Sequence, residues 1–106
     1  MVPYFNMEKR KPTYDLESFK ADFAAHSVEI TLSARRDALE LGFDRDGMTQ
    51  VIATMERLQF VKSMTSYDNN RVWQDVYNVP FEELVLYVKI TNGTVTAFRL
   101  LSFKER

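Results

Sequence analysis

The sequence predicts an α+β domain, with N-terminal helices packed on one face of a C-terminal antiparallel sheet. Three observations lead there. Apolar residues recur at helical spacing as far as Leu58. Beyond that point the period of the pattern changes to two. Late in the chain, Asn92-Gly93 separates two such stretches and is the strongest hairpin signal present.

The elements follow in order. Residues 1–14 carry Pro3 and Pro12 around the charges Glu8, Lys9, Arg10 and Lys11, and read as a flexible N-terminal arm. Residues 15–106 read as a single domain. Asp15 is placed to cap a first helix, with Leu16, Phe19, Phe23 and Ala24 on one face and an end near His26. Val28 to Ile30 make a short strand, and Thr31 or Ser33 caps a second helix that stops near Gly42. Asp44 opens a third helix, in which Met48, Val51, Ile52 and Met55 follow the i, i+3, i+4, i+7 rule and form a buried stripe. Strands are expected over Phe60–Tyr67, Arg71–Tyr77, Leu84–Thr91 and Thr94–Lys104.

Composition narrows the function classes. The chain has 106 residues, 45% of them hydrophobic, which suits one folded domain with a modest core. The formal charge of −1 gives no global positive field, so any nucleic-acid binding must come from a local patch. There is no cysteine, which excludes disulfide scaffolds, thiolate zinc sites and cysteine nucleophiles, and suits the cytoplasm. The charged N-terminal stretch lacks the apolar run of a signal peptide. The longest apolar run, Leu84 to Val88, is too short to span a membrane.

Side-chain alternation sorts the strands into faces. Leu84, Leu86, Val88 and Ile90 point one way and are all apolar, so they face the core. Val85, Tyr87, Lys89 and Thr91 point the other way, a mixed surface suited to a ligand. A two-residue turn at Asn92-Gly93 would pair Tyr87 with Phe98 and leave Lys104 on the same face, but about 20 Å along the strand. A bulge or a longer loop would bring it closer. In the preceding hairpin, a three-residue turn at Asp68-Asn69-Asn70 puts Lys62, Met64, Ser66 and Gln74 on one face. A two- or four-residue turn would split Lys62 from Gln74, and the pattern does not choose between them.

Several constellations have ordinary explanations. Asp44-Arg45-Asp46-Gly47 resembles part of a calcium loop but lacks a third acidic position and a closing Glu, so it reads as a helix cap. His26 is the sole histidine, and without further ligands it makes no zinc site. Glu82-Glu83 reads as a solvated turn. Trp73 is either a base-stacking platform or a core residue. Lys62 and Lys89 are either phosphate-binding cations or charges that protect a sheet edge.

The block "FVKSMTSYDNNRVWQDVY", followed by "YVKIT" and the C-terminal "LSFKER", resembles the MqsR family of bacterial toxins. "LELGFDRDGMTQVI" and "MEKRKP" are similar to family segments as well, so the match runs from about Met7 to Arg106. These toxins are mRNA interferases of toxin–antitoxin pairs, with a fold like that of the RelE endoribonucleases. The resemblance therefore implies a RelE-like, sequence-preferring endoribonuclease that cuts mRNA at GCU-type sites. The implied partner is an antitoxin of the MqsA kind, a zinc-containing, DNA-binding protein, through which alone the toxin meets DNA. Family active-site positions fall on Lys62 in "VKSM", Gln74 in "WQDVY", Tyr87 in "LYVKI" and Lys104 in "SFKE". Met64, Trp73 and Lys89 are candidate RNA contacts. The mild acidity of the chain and a longer segment from Thr91 to Lys104 depart from the family pattern.

The chemistry so implied needs neither metal nor cofactor. RNA brings its own nucleophile, the 2′-hydroxyl, so the protein must supply a base, cations for the phosphate charge and an acid for the 5′-oxygen. Lys62 and Lys104 can hold charge, Gln74 can orient the phosphate, and Tyr87 can move a proton. The rival class is a non-catalytic partner-binding domain that accepts another chain's strand at its sheet edge.

Overall fold

A computed structural model of the chain describes residues 7–67, 71–93 and 98–106. Within these, the chain runs β1 (Glu8–Lys9), α1 (Leu16–Ala24), β2 (Val28–Ile30), α2 (Leu32–Glu40), α3 (Arg45–Ala53), a single 3₁₀ turn (Arg57–Gln59), β3 (Phe60–Thr65), β4 (Trp73–Phe81), β5 (Leu84–Thr91) and β6 (Phe98–Glu105). The strands form one sheet in the order β1-β3-β4-β5-β6-β2. Neighbours are antiparallel except for β2, which runs parallel to β6 at one edge. The expected α+β architecture is therefore what forms.

Each helix is nine residues long, too short to persist alone, so caps and packing hold it. The Asp15 carboxylate accepts from the Ser18 N–H at 2.9 Å, the Thr31 hydroxyl from Ala34 at 3.2 Å and the Asp44 carboxylate from Gly47 at 2.8 Å. Asp44 is thus a cap, as its spacing indicates. Phe19 and Phe23 of α1 and Met48, Val51 and Ile52 of α3 are buried in one cluster with Leu86, Val88, Ile90, Leu100 and Phe103 of the sheet. The end of α1 turns on His26, whose φ of 62° is left-handed. The Ser27 N–H reaches the Asp22 carbonyl at 2.8 Å and the His26 N–H reaches Phe23 at 3.1 Å, the paired bonds of a Schellman cap.

Two expectations require correction. The described part of the supposed mobile arm, residues 7–14, is tied to the sheet. The Met7 N–H donates to the Thr65 hydroxyl at 2.8 Å, the Thr65 N–H donates to the Met7 carbonyl at 2.9 Å, and Glu8 pairs with Met64. Farther on, the Thr13 and Tyr14 N–H groups both donate to the buried Asp75 carboxylate, at 3.0 and 2.9 Å. Residues 7–14 therefore add a strand and a buried anchor to the domain. Residues 1–6 lie outside the described residues.

The second correction concerns β6. It begins at Phe98, and Tyr87 pairs with Lys104, not with Phe98. The two-residue register would have set Arg99 opposite Leu86, inside the core. The observed register instead buries Phe98, Leu100 and Phe103. It does so with a bulge, because Lys89 pairs with Ser102 but Ile90 with Leu100. Of the connection from β5, residues 94–97 lie outside the described residues, as do residues 68–70 of the hairpin joining β3 to β4.

β4 also runs longer than expected, through Pro80 to Phe81. Pro80 lies beyond Tyr77, where pairing with β3 has ended, so its missing N–H is not needed on that side. Glu82, with φ 54°, and Glu83 make the turn into β5.

Candidate active site

The helices cover one face of the sheet, and the candidate residues lie on the other. Strand alternation and cross-strand register fix their positions. One row crosses four strands as Lys62, Val76, Lys89 and Ser102. A neighbouring row runs Asn78, Tyr87, Lys104, and a shorter one runs Met64, Gln74. Lys62, Gln74, Tyr87 and Lys104 thus share one face, as do Met64 and Lys89. Val76 lies at 1% exposure among them and makes an apolar floor.

The side chains converge above that floor. The Lys104 ammonium lies 5.5 Å from the centre of the Tyr87 ring, so the expected separation of about 20 Å does not exist. Burial pushes the Tyr87 phenol above its ordinary value, and the charge of Lys62 pulls partly against that rise. Burial pushes the Lys89 ammonium down, and the charge of Lys104 adds to the effect. Lysines from β3, β5 and β6 therefore feel the same small region. Lys62 in turn donates to the Glu8 carboxylate at 3.1 Å.

Trp73 is not part of this group. It precedes Gln74 in β4 and pairs with Thr65, so it points to the opposite side. Its ring there lies 4.2 Å beneath the Lys9 ammonium, and its carbonyl accepts from the Tyr14 hydroxyl at 2.8 Å and from the Thr91 hydroxyl at 2.7 Å. Those partners give Trp73 a place in fastening the N-terminal segment, on the face opposite Lys62, Gln74, Tyr87 and Lys104.

Sequence reasoning missed Glu8, Asn78 and Ser102 on the open face. Asn78 and Ser102 could have been found by counting two residues from Val76 and Lys104 along their strands. Glu8 could not, because a two-residue strand has no period to read. Among the described residues no group of three or more His, Cys, Asp or Glu side chains could hold a metal ion. No helix among them is long and apolar enough to cross a membrane.

Two comparisons bear on this site. The family model described as "Motility quorum-sensing regulator, toxin of MqsA" matches residues 11–105. The chain is also 41% identical over 100 residues to the mRNA interferase toxin MqsR of Escherichia coli (strain K12), an alignment that covers 94% of this chain and 100% of that protein.

Proposed function

The chain belongs to the MqsR toxin family and is by that membership an mRNA interferase, an endoribonuclease, and from this premise we propose how it cuts RNA. The reaction is metal-independent transesterification on the open face of the sheet, at GCU-type sites in cytoplasmic mRNA. An antitoxin of the MqsA kind neutralises it. The observation that carries this reading is the Lys104 ammonium 5.5 Å from the Tyr87 ring, on the same face as Lys62 and beside the buried Val76.

Each residue has a role that follows from its chemistry. Lys104, opposite Tyr87 in the neighbouring strand, and Lys62, in the adjoining row two strands away on the same face, hold the charge that grows on the non-bridging phosphate oxygens. The half-buried setting, with an apolar floor, strengthens that attraction relative to water. Gln74, one position along β4 from Val76 on the same face, offers both a donor and an acceptor to orient the phosphate. Tyr87 is the general acid. A phenol raised by burial keeps its proton at neutral pH, which disqualifies it as a base but leaves it able to protonate the departing 5′-oxygen. Met64 and Lys89 flank the same surface and are the remaining RNA contacts. The local concentration of lysine supplies the positive patch that a net charge of −1 does not.

The test is incubation of purified protein with naked RNA in excess EDTA, with both new ends mapped. Cleavage leaving 2′,3′-cyclic phosphate and 5′-hydroxyl ends at GCU-type sites is the expected result. Loss of cleavage in EDTA with recovery in magnesium, or ends bearing a 3′-hydroxyl, would refute the mechanism.

A further inference from the structure

RNA transesterification also needs a base. The 2′-hydroxyl must lose a proton, while Lys62, Lys104 and Lys89 serve the phosphate and Tyr87 supplies the acid. Gln74, Asn78 and Ser102 are neutral groups with no basic atom fit for the task. The missing partner comes from the segment expected to be a mobile arm. β1 places Glu8 opposite Met64, on the open face, with a carboxylate oxygen 3.1 Å from the Lys62 ammonium.

We propose that Glu8 is the general base of RNA cleavage, carried into the site by the two-residue strand β1 and held there by Lys62. The inference rests on the endoribonuclease reading of the same face. Glu8 is the one carboxylate in ion-pair contact with the lysine cluster among the described residues. A carboxylate is ionised at neutral pH and presents acceptor oxygens, as a base must. Half of the Glu8 side chain is exposed, so a ribose hydroxyl can reach it.

Glu8 takes the proton from the 2′-hydroxyl as that oxygen forms its bond to phosphorus. The bond from phosphorus to the 5′-oxygen breaks, and Tyr87 gives its proton to that oxygen. The products are a 2′,3′-cyclic phosphate and a 5′-hydroxyl. Glu8 then returns its proton to water and Tyr87 recovers one from water, so no co-reactant is consumed.

The strand that carries Glu8 is fixed more firmly than its length suggests. Met7 and Thr65 exchange two hydrogen bonds, Lys9 covers Trp73, and the Arg10 guanidinium donates to the Val61 carbonyl at 3.4 Å. The charged and titratable groups on the face of Glu8 are Arg10 from its own segment and Lys62 from β3, with Tyr87 and Lys89 of β5 and Lys104 of β6 beyond them, while Lys9 lies on the opposite side against Trp73.

The experiment is Glu8→Gln assayed against the wild type on naked RNA from acid to mildly alkaline pH. Glutamine keeps an oxygen for Lys62 but cannot take a proton, so it separates chemistry from placement. The expected result is a rate reduced by about 10²–10⁴-fold, loss of the acidic limb of the pH–rate profile, and an unchanged thermal midpoint. Glu8→Asp, with a shorter arm but the same acid, should recover part of the rate and the acidic limb. If Glu8→Gln cleaves at the wild-type rate, or slows while keeping the acidic limb, Glu8 is not the base even though the protein is a ribonuclease. If the wild type itself cuts no RNA, the endoribonuclease reading fails and this inference falls with it.

Discussion

Tyr77→Phe should abolish a specific loss of stability at alkaline pH. Tyr77 lies at 0% exposure on the helix-covered side of β4, its ring 5.6 Å from that of Phe60. Its hydroxyl has no hydrogen-bond partner among the described residues. Burial first, and the charge of Asp75 second, push the phenol from 10.0 up to about 12. The folded protein therefore retains a proton that the unfolded chain releases above about pH 10. The unfolded state binds fewer protons in that window, so stability falls as pH rises. It is intact below about pH 10 and declines by about 1.4 kcal/mol per pH unit until the folded phenol itself ionises, or about 2.7 kcal/mol in all.

Phenylalanine removes that loss without leaving an orphaned partner, so stability at pH 8 should stay within about 1 kcal/mol of the wild type. Urea unfolding of both proteins at pH 8 and near pH 12 measures the effect. Other phenols and lysines titrate in both proteins and cancel in the comparison. The wild type should lose about 2–3 kcal/mol more than the variant between the two pH values. Equal losses would show that the buried phenol is not the cause.

Three further outcomes follow from single contacts. Tyr87→Phe should lower the cleavage rate by about 10²–10⁴-fold while leaving the unfolding midpoint in place, measured by end-labelled RNA cleavage and thermal melting. Asp75→Ala orphans the Thr13 and Tyr14 N–H groups. It should cost about 1–3 kcal/mol for each, and limited proteolysis should then cut near residues 7–14 faster than in the wild type. His26→Gly relieves a left-handed residue that bears a Cβ, and urea unfolding should show a gain of about 1 kcal/mol.

What the sequence made legible follows from how local each feature is. The stripe of Met48, Val51 and Ile52 and the alternation of Leu86, Val88 and Ile90 are written within one element, and both faced the core as read. Lys62, Gln74 and Tyr87 were found because a resemblance marked them, and the cross-strand register, which the sequence pattern left open, places them on a common face. Trp73 could have been set aside by that same alternation, since neighbours in a strand point to opposite sides. The partnership of Glu8 with Lys62 spans more than fifty residues and rests on a strand too short for any periodicity. The register of β6 was illegible for another reason. It depends on which residues the helices bury, and a Gly-containing dipeptide reports only that a turn is near.

β6 must meet two demands that a regular strand cannot meet together. Its beginning supplies Phe98 and Leu100 to the core, while its end supplies Phe103 to the core and Lys104 to the open face. Leu100 and Phe103 are three positions apart, so strict alternation would send one of them to the wrong side. The bulge at Leu101 adds the residue that restores the phase. An inserted residue leaves its backbone groups without ladder partners, and the start of α2 takes one of them. The Thr31 hydroxyl donates to the Leu101 carbonyl at 3.2 Å, and the Thr31 N–H donates to the neighbouring Leu100 carbonyl at 3.1 Å. The same hydroxyl accepts from Ala34 as the cap of α2. One threonine thus ties the helix to the irregularity that keeps Lys104 opposite Tyr87. The packing of the covered face, through that bulge, determines where a cation stands on the other.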